Sequence, residues 1–239
     1  MKPAGELRIA AAADLKFVLV DLVAAFEKTH SETTITVTTG ASGNLFAQLT
    51  NEAPFDLFLS ADVSYPQKLV EGGQGIPDSL FEYAIGHLVV WVPKDSALDV
   101  ESLGIDALHG DSVQKIAVAN PKTAPYGRAA IAALQNLQVY DAVESRLVYG
   151  ENVAQTAQMA ESGGADAGII SLSLAVSPIL RDKGKYWNVP GDAHPPIVQG
   201  GVVLRRAQDA ALADNFRDFL LSAEGKALLA RYGFDSAGE

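Results

Sequence analysis

Cysteine is absent from all 239 residues, which removes disulfides, thiolate metal ligands and cysteine nucleophiles together and leaves the redox compartment open. Histidine occurs four times, at His30, His87, His109 and His194, with no H-x-x-x-H spacing, so no metal site is expected. Basic residues are scarce. Against 29 Asp and Glu stand 18 Lys and Arg, for a formal net charge of −11, and such a chain lacks the basic face that nucleic-acid phosphates require. Long apolar runs are missing as well, since each breaks off well short of the roughly 18 residues that a membrane-spanning helix needs. Met1 to Gly5 lead straight into a strand without an apolar stretch, so an export signal is expected to be absent or already removed.

The acidic balance does not exclude a small anionic ligand. Distant surface charge is screened over a Debye length of about 10 Å, whereas dipoles and hydrogen-bond donors act at contact distance. With 48% hydrophobic residues the chain can bury a large core, as one domain or as two lobes of roughly 120 residues each.

Alternation of strand and helix patterns organises the sequence. Leu7 to Ala12 reads as a strand, and Leu15, Val18, Leu19, Leu22, Val23 and Phe26 follow at helical spacing with Asp14 as the expected N-cap. Thr34 to Thr38 is a second strand and Asp56 to Ser60 a third, with a short helix over Pro66 to Glu71 closed by Gly72 and Gly73. Tyr83 to Val92 reads as one long strand crossing to a second lobe, and Ile197 to Leu204 as the long strand that returns. Between them, strands over Lys115–Ala119, Arg146–Val148 and Asp166–Ile170 alternate with helices after Tyr126, over Val153–Glu161 and over Leu172–Leu180. Helices over Ala207–Leu221 and Ala223–Arg231 finish the chain. The expected fold is α/β with two lobes, residues 1–84 plus 199–239 and residues 85–198, each a mainly parallel sheet flanked by helices and joined by a two-strand hinge.

Gly40-Ala41-Ser42-Gly43 stands where a strand gives way to a helix. Taken alone it is an ordinary βα turn with Ser42 as a helix cap; it is also an anion-binding geometry, because the first turn of a helix leaves backbone N–H groups over. Ala12-Ala13-Asp14, Ala124-Pro125-Tyr126-Gly127 and Glu151-Asn152-Val153 are chemically alike, two turns to each lobe. Ligands of open α/β sheets bind beyond the carboxyl ends of the strands, so the expected site is a cleft lined by four helix N-termini.

These turns, with Ala53-Pro54-Phe55-Asp56-Leu57-Phe58-Leu59-Ser60-Ala61-Asp62, Tyr83-Ala84-Ile85-Gly86, Asn120-Pro121 and Ala165-Asp166-Ala167-Gly168, resemble the periplasmic molybdate-binding proteins of ABC importers, from about Glu6 to Gly233. The resemblance implies the type II periplasmic-binding fold, a periplasmic location, molybdate or tungstate as the transported ligand with no resident cofactor or metal, and an ABC permease and its ATPase as partners. A monomer is the expected state. Phosphate, arsenate or sulfate is the alternative ligand. Carried over by position, the oxyanion contacts are Ala13, Asp14, Ser42, Tyr126 and Val153. Ser171 is a candidate further contact, at a position where some members place a Tyr hydroxyl and where serine has the shorter reach.

Neutral donors suit a fully ionised tetrahedral dianion, which has no hydrogen to give. About five to seven charge-assisted bonds at about 1.5 to 3 kcal/mol each exceed or match an association cost of about 4 to 15 kcal/mol. At Asp14, where members of the family it resembles commonly carry Ser or Asn, an inward carboxylate repels a dianion and selects a hydrogen oxyanion, whereas an outward cap contributes only its N–H; the cap is the expectation. Lys122 and Arg128 are expected on the surface, Asp62 as a turn cap, and Trp91 and Trp187 as packing residues. An enzyme using Ser42 as nucleophile is disfavoured, because the turn lacks the G-x-S-x-G elbow and none of the four turns carries a His base. Nor does a helix-turn-helix precede Leu7, so a DNA-binding regulator is not expected.

Overall fold

The computed structural model describes residues 5–238, so Met1 to Ala4, within the stretch where an export signal is expected to be absent or already removed, lie outside the described residues. In chain order the elements are β1 (Gly5–Ala12), a 3₁₀ turn over Ala13–Leu15, α1 (Val18–Glu27), β2 (Thr33–Gly40), α2 (Ser42–Thr50), β3 (Leu57–Ser60), α3 (Ser64–Glu71), β4 (Phe81–Gly86) and β5 (Leu88–Pro93). There follow α4 (Val100–Leu103), β6 (Ile116–Ala119), α5 (Pro125–Asn136), α6 (Tyr140–Val143), β7 (Leu147–Gly150), α7 (Val153–Glu161), β8 (Ala167–Ser171) and α8 (Leu172–Ala175). The chain ends with β9 (Gly184–Asn188), β10 (Ile197–Val203), α9 (Ala210–Leu221) and α10 (Ala223–Arg231). None of the described helices is long and apolar enough to cross a membrane.

The chain divides into two compact units, one running up to Ile85 and from Val198 onward, the other Gly86–Ile197. In the first, five strands run in the order β2-β1-β3-β10-β4. Here β1 pairs parallel with β2 and β3, while β10 lies antiparallel to β3. Successive side chains of a strand point to opposite faces, and both faces are covered. Leu7, Ile9, Ala11, Leu57, Leu59 and Val203 pack with Phe26, Phe216 and Leu220 of α1 and α9. Ala10, Phe58, Val202 and Leu204 face the other way, onto Leu45, Leu49 and Leu69 of α2 and α3.

The second unit has the order β7-β6-β8-β5-β9. Its β6 is parallel to β7 and β8, and β5 runs antiparallel to β8 and β9. Trp91 is buried in β5, and Trp187 of β9 lies against Gly104.

Three expectations are corrected. The apolar run Tyr83–Val92 is two strands parted at His87, β4 in the first sheet and β5 in the second, because an apolar stretch buried in either sheet looks the same in sequence. The helix expected over Leu172–Leu180 stops at Ala175, where Ser177 turns its hydroxyl onto the Leu174 carbonyl at 2.6 Å just before Pro178. The first helix begins at Val18, with Ala13–Leu15 as a separate 3₁₀ turn.

Asp56 fastens the first unit together. Its buried carboxylate accepts the Arg8 backbone N–H at 2.7 Å, Nε at 3.0 Å and Nη2 at 2.9 Å, and also the Gln208 N–H at 2.9 Å. Burial acts to raise its pKa, but the Arg8 guanidinium and the two N–H groups outweigh it and hold the carboxyl below its ordinary range. A depressed folded pKa means that this stabilisation is complete above the unfolded value of about 4 and is lost as pH falls through it toward the folded value. Asp56→Ala is expected to cost about 3 kcal/mol in urea denaturation at pH 7, and the cost is expected to shrink as pH is lowered below about 4.

Candidate functional site

Register places the turns of the first unit side by side. Ala12 pairs with Gly40 and Ala11 with Leu59, so β1, β2 and β3 end at one edge of the sheet, and Ala13-Asp14, Ala41-Ser42 and Ala61 follow from those ends. Ala41 is the N-cap of α2 with an extended backbone, and no side chain caps the helix. Ser42 therefore does not cap α2 but opens it. Its buried Oγ accepts the Ala61 N–H at 3.0 Å. A hydroxyl that accepts from one side keeps its own hydrogen to give elsewhere, so Ser42 is oriented as a donor. Asp62 caps its own turn, its Oδ1 accepting the Ser64 N–H at 2.9 Å.

Asp14 is not the cap of α1. It sits inside the 3₁₀ turn, α1 has Phe17 at its N-cap with no side-chain cap bond, and the Asp14 carboxylate instead accepts a hydrogen bond from Gln199 Nε2. The separate turn carries the carboxylate at the sheet edge, before the helix begins. Gln199 lies on β10 and is itself fixed, its Oε1 accepting the Tyr83 hydroxyl at 2.8 Å. The same hydroxyl lies 3.1 Å from the Ser60 carbonyl oxygen. Burial, with the charge of Asp14 behind it, pushes the Tyr83 hydroxyl well above its ordinary range, so it stays protonated and donates. Asp14, Gln199 and Tyr83 are all buried.

In the second unit Ala119 pairs with Gly150 and Val118 with Ile169, which brings the ends of β6, β7 and β8 level. Pro125 opens α5, a position that needs no N–H, and Tyr126 follows in the first turn. Only glycine fits next: a Cβ on Gly127 would lie 2.2 Å from the Ala119 carbonyl oxygen, so the start of α5 rests directly on the end of β6. Asn152 caps α7 by accepting the Ala154 and Gln155 N–H groups, each at 3.0 Å. That choice leaves the Val153 N–H outside the cap. Ser171 ends β8, fully buried, and its Oγ accepts the Ser173 hydroxyl at 3.0 Å. Lys122 is exposed and Arg128 is half-buried in the first turn of α5.

Thus Ala13, Asp14 and Ser42 gather at the carboxyl edge of one sheet, and Tyr126, Val153 and Ser171 at the carboxyl edge of the other. Each edge is rich in neutral donors. Sequence reasoning missed Gln199 and Tyr83, which lie on strands and carry no turn signal; the pairing of Gly200 with Ser60 is what brings Gln199 to the Asp14 edge. Among the described residues no group of three or more His, Cys, Asp and Glu could hold a metal ion.

A family model of bacterial extracellular solute-binding proteins matches residues 7–235. The chain belongs to this family. As a solute-binding protein it is 37% identical over 232 residues to the molybdate-binding protein ModA of Rhodobacter capsulatus, covering 97% of this chain and 88% of the relative. To the ModA of Azotobacter vinelandii it is 35% identical over 231 residues, covering 97% and 90%. A solved structure of the Azotobacter vinelandii periplasmic molybdate-binding protein matches with a TM-score of 0.90 at 30% identity, over 97% of this chain and 100% of that one. The two sheets with flanking helices are the architecture of such binding proteins.

Two changes probe the geometry of this solute-binding protein directly. Asn152→Ala is expected to cost about 1 kcal/mol of unfolding free energy through the lost cap. Gly127→Ala is expected to cost more, because its Cβ meets backbone that cannot swing aside; chemical denaturation of both variants checks the order.

Proposed function

We propose that the chain is the receptor of an ABC importer for molybdate, with tungstate as an equivalent ligand. The observation that carries this reading is the concentration of neutral donors at the carboxyl edges of two sheets, in a chain so similar to two molybdate-binding proteins. The donors are the N–H groups of Ala13, Asp14, Tyr126 and Val153, together with the hydroxyl and N–H of Ser42. Ser171 adds a hydroxyl whose oxygen already accepts from Ser173 and whose hydrogen is left to give. A tetrahedral dianion without hydrogens is matched by donors alone, and fixed N–H dipoles compensate its charge without a buried cation.

The oxyanion binds as a transported solute in the periplasm, and the loaded monomer is handed to a membrane permease and its ATPase. A hydrolytic role for Ser42 has little to draw on, because none of the four turns carries a His to take its proton.

Calorimetric titration with molybdate, tungstate, sulfate, phosphate and arsenate tests the reading. Molybdate and tungstate are expected to bind at micromolar concentration or tighter and with similar affinity. Phosphate or sulfate binding in the absence of any molybdate heat overturns it. Ser42→Ala is expected to weaken molybdate roughly ten- to hundredfold, the worth of one charge-assisted bond.

A further inference from the structure

The Asp14 carboxylate poses a problem that the donor set does not solve. It stands on the turn that carries the Ala13 and Asp14 N–H groups, at the edge shared with Ser42, and like charges in a dehydrated site repel strongly. Two residues far away in sequence deal with it. Gln199 can meet a carboxylate only with its amide N–H, and its amide is locked that way round, because its oxygen is occupied by the Tyr83 hydroxyl. Tyr83 in turn is anchored next to the Ser60 carbonyl at the end of β3. The result is a directed chain from β4 through β10 to the Asp14 turn, buried throughout, in which each donor points toward the carboxylate.

We propose that Gln199, oriented by Tyr83, is a positioning residue for oxyanion capture: it holds the Asp14 carboxylate off the ligand so that the Asp14 turn presents its N–H groups. The proposal rests on the oxyanion-receptor reading. It makes a demand that a purely architectural role does not. Gln199 matters to the ligand because residue 14 is charged, so its effect vanishes when that charge is removed. Asparagine at this position retains an oxygen for the Gln199 amide but no longer repels an anion.

The test is a double-mutant cycle read by calorimetric titration with sodium molybdate at pH 7.5, with thermal melts as the folding control. Gln199→Leu is expected to weaken molybdate about tenfold or more when Asp14 is present, and less than about threefold when it is introduced into Asp14→Asn. Tyr83→Phe removes a single hydroxyl and keeps the ring in the core, so it decides the matter if Gln199→Leu does not fold. It is expected to weaken binding about threefold with Asp14 and to have no measurable effect in the Asp14→Asn background. Equal losses in the two backgrounds overturn the positioning role while leaving the receptor reading intact. Absence of molybdate binding by the unmutated protein overturns the receptor reading itself, and the two failures are thereby told apart.

Discussion

A helix that begins at the carboxyl end of a parallel strand presents N–H groups for which it has no acceptors of its own. Most of what is particular to this chain follows from how those groups are treated. At α7 Asn152 satisfies the second and third positions and bypasses Val153. At α2 no side chain caps at all, and the Ser42 hydroxyl turns its oxygen toward Ala61 and so keeps its hydrogen as a further donor. At α5 proline removes one N–H outright and glycine lets the helix start against the strand. The sheets align these ends by register, so local turn chemistry and global topology act on the same few atoms.

The proposed capture of an anion by an acidic protein is consistent on this basis. Net charge of −11 is spread over a surface screened by salt, whereas a donor acts at about 3 Å. Neutral donors bring a further advantage over Lys or Arg. They are held rigid by the backbone that carries them, so little ordering cost remains for the ligand to meet.

The strand-to-helix alternation and the four turns are legible in the sequence because each rests on local signals: alternation or continuous burial in a strand, then small residues, then helical spacing. What local signals do not carry stays hidden. In Tyr83–Val92 only Gly86-His87 interrupts the apolar run, a break too short to tell a passage between two sheets from an irregularity within one strand. The strand Gly184–Asn188 has neither alternation nor deep burial, and it forms because the β5 edge offers it a partner. Ser42 falls at the turn where the sequence puts it, but with a different bond: its oxygen serves Ala61, on another strand, and capping preferences describe only bonds within a few residues.

Asp14 shows the same limit more sharply. Its preference for a helix N-cap is a statement about nearby N–H groups, and it carries no sign of Gln199, 185 residues later, whose amide the carboxylate meets. Burying a carboxylate without a donor is costly, and Gln199 supplies one from a different strand. That orientation has a functional consequence through distance. The field of a full charge falls off more slowly than that of an N–H dipole, so the Asp14 turn can favour an anion only if the carboxylate is kept farther from the ligand than the N–H groups are. A short side chain on a tight turn cannot guarantee this by itself. It takes a partner from a different strand, locked in one orientation by a third, and the β10–β3 pairing that sets Gly200 opposite Ser60 is what supplies it.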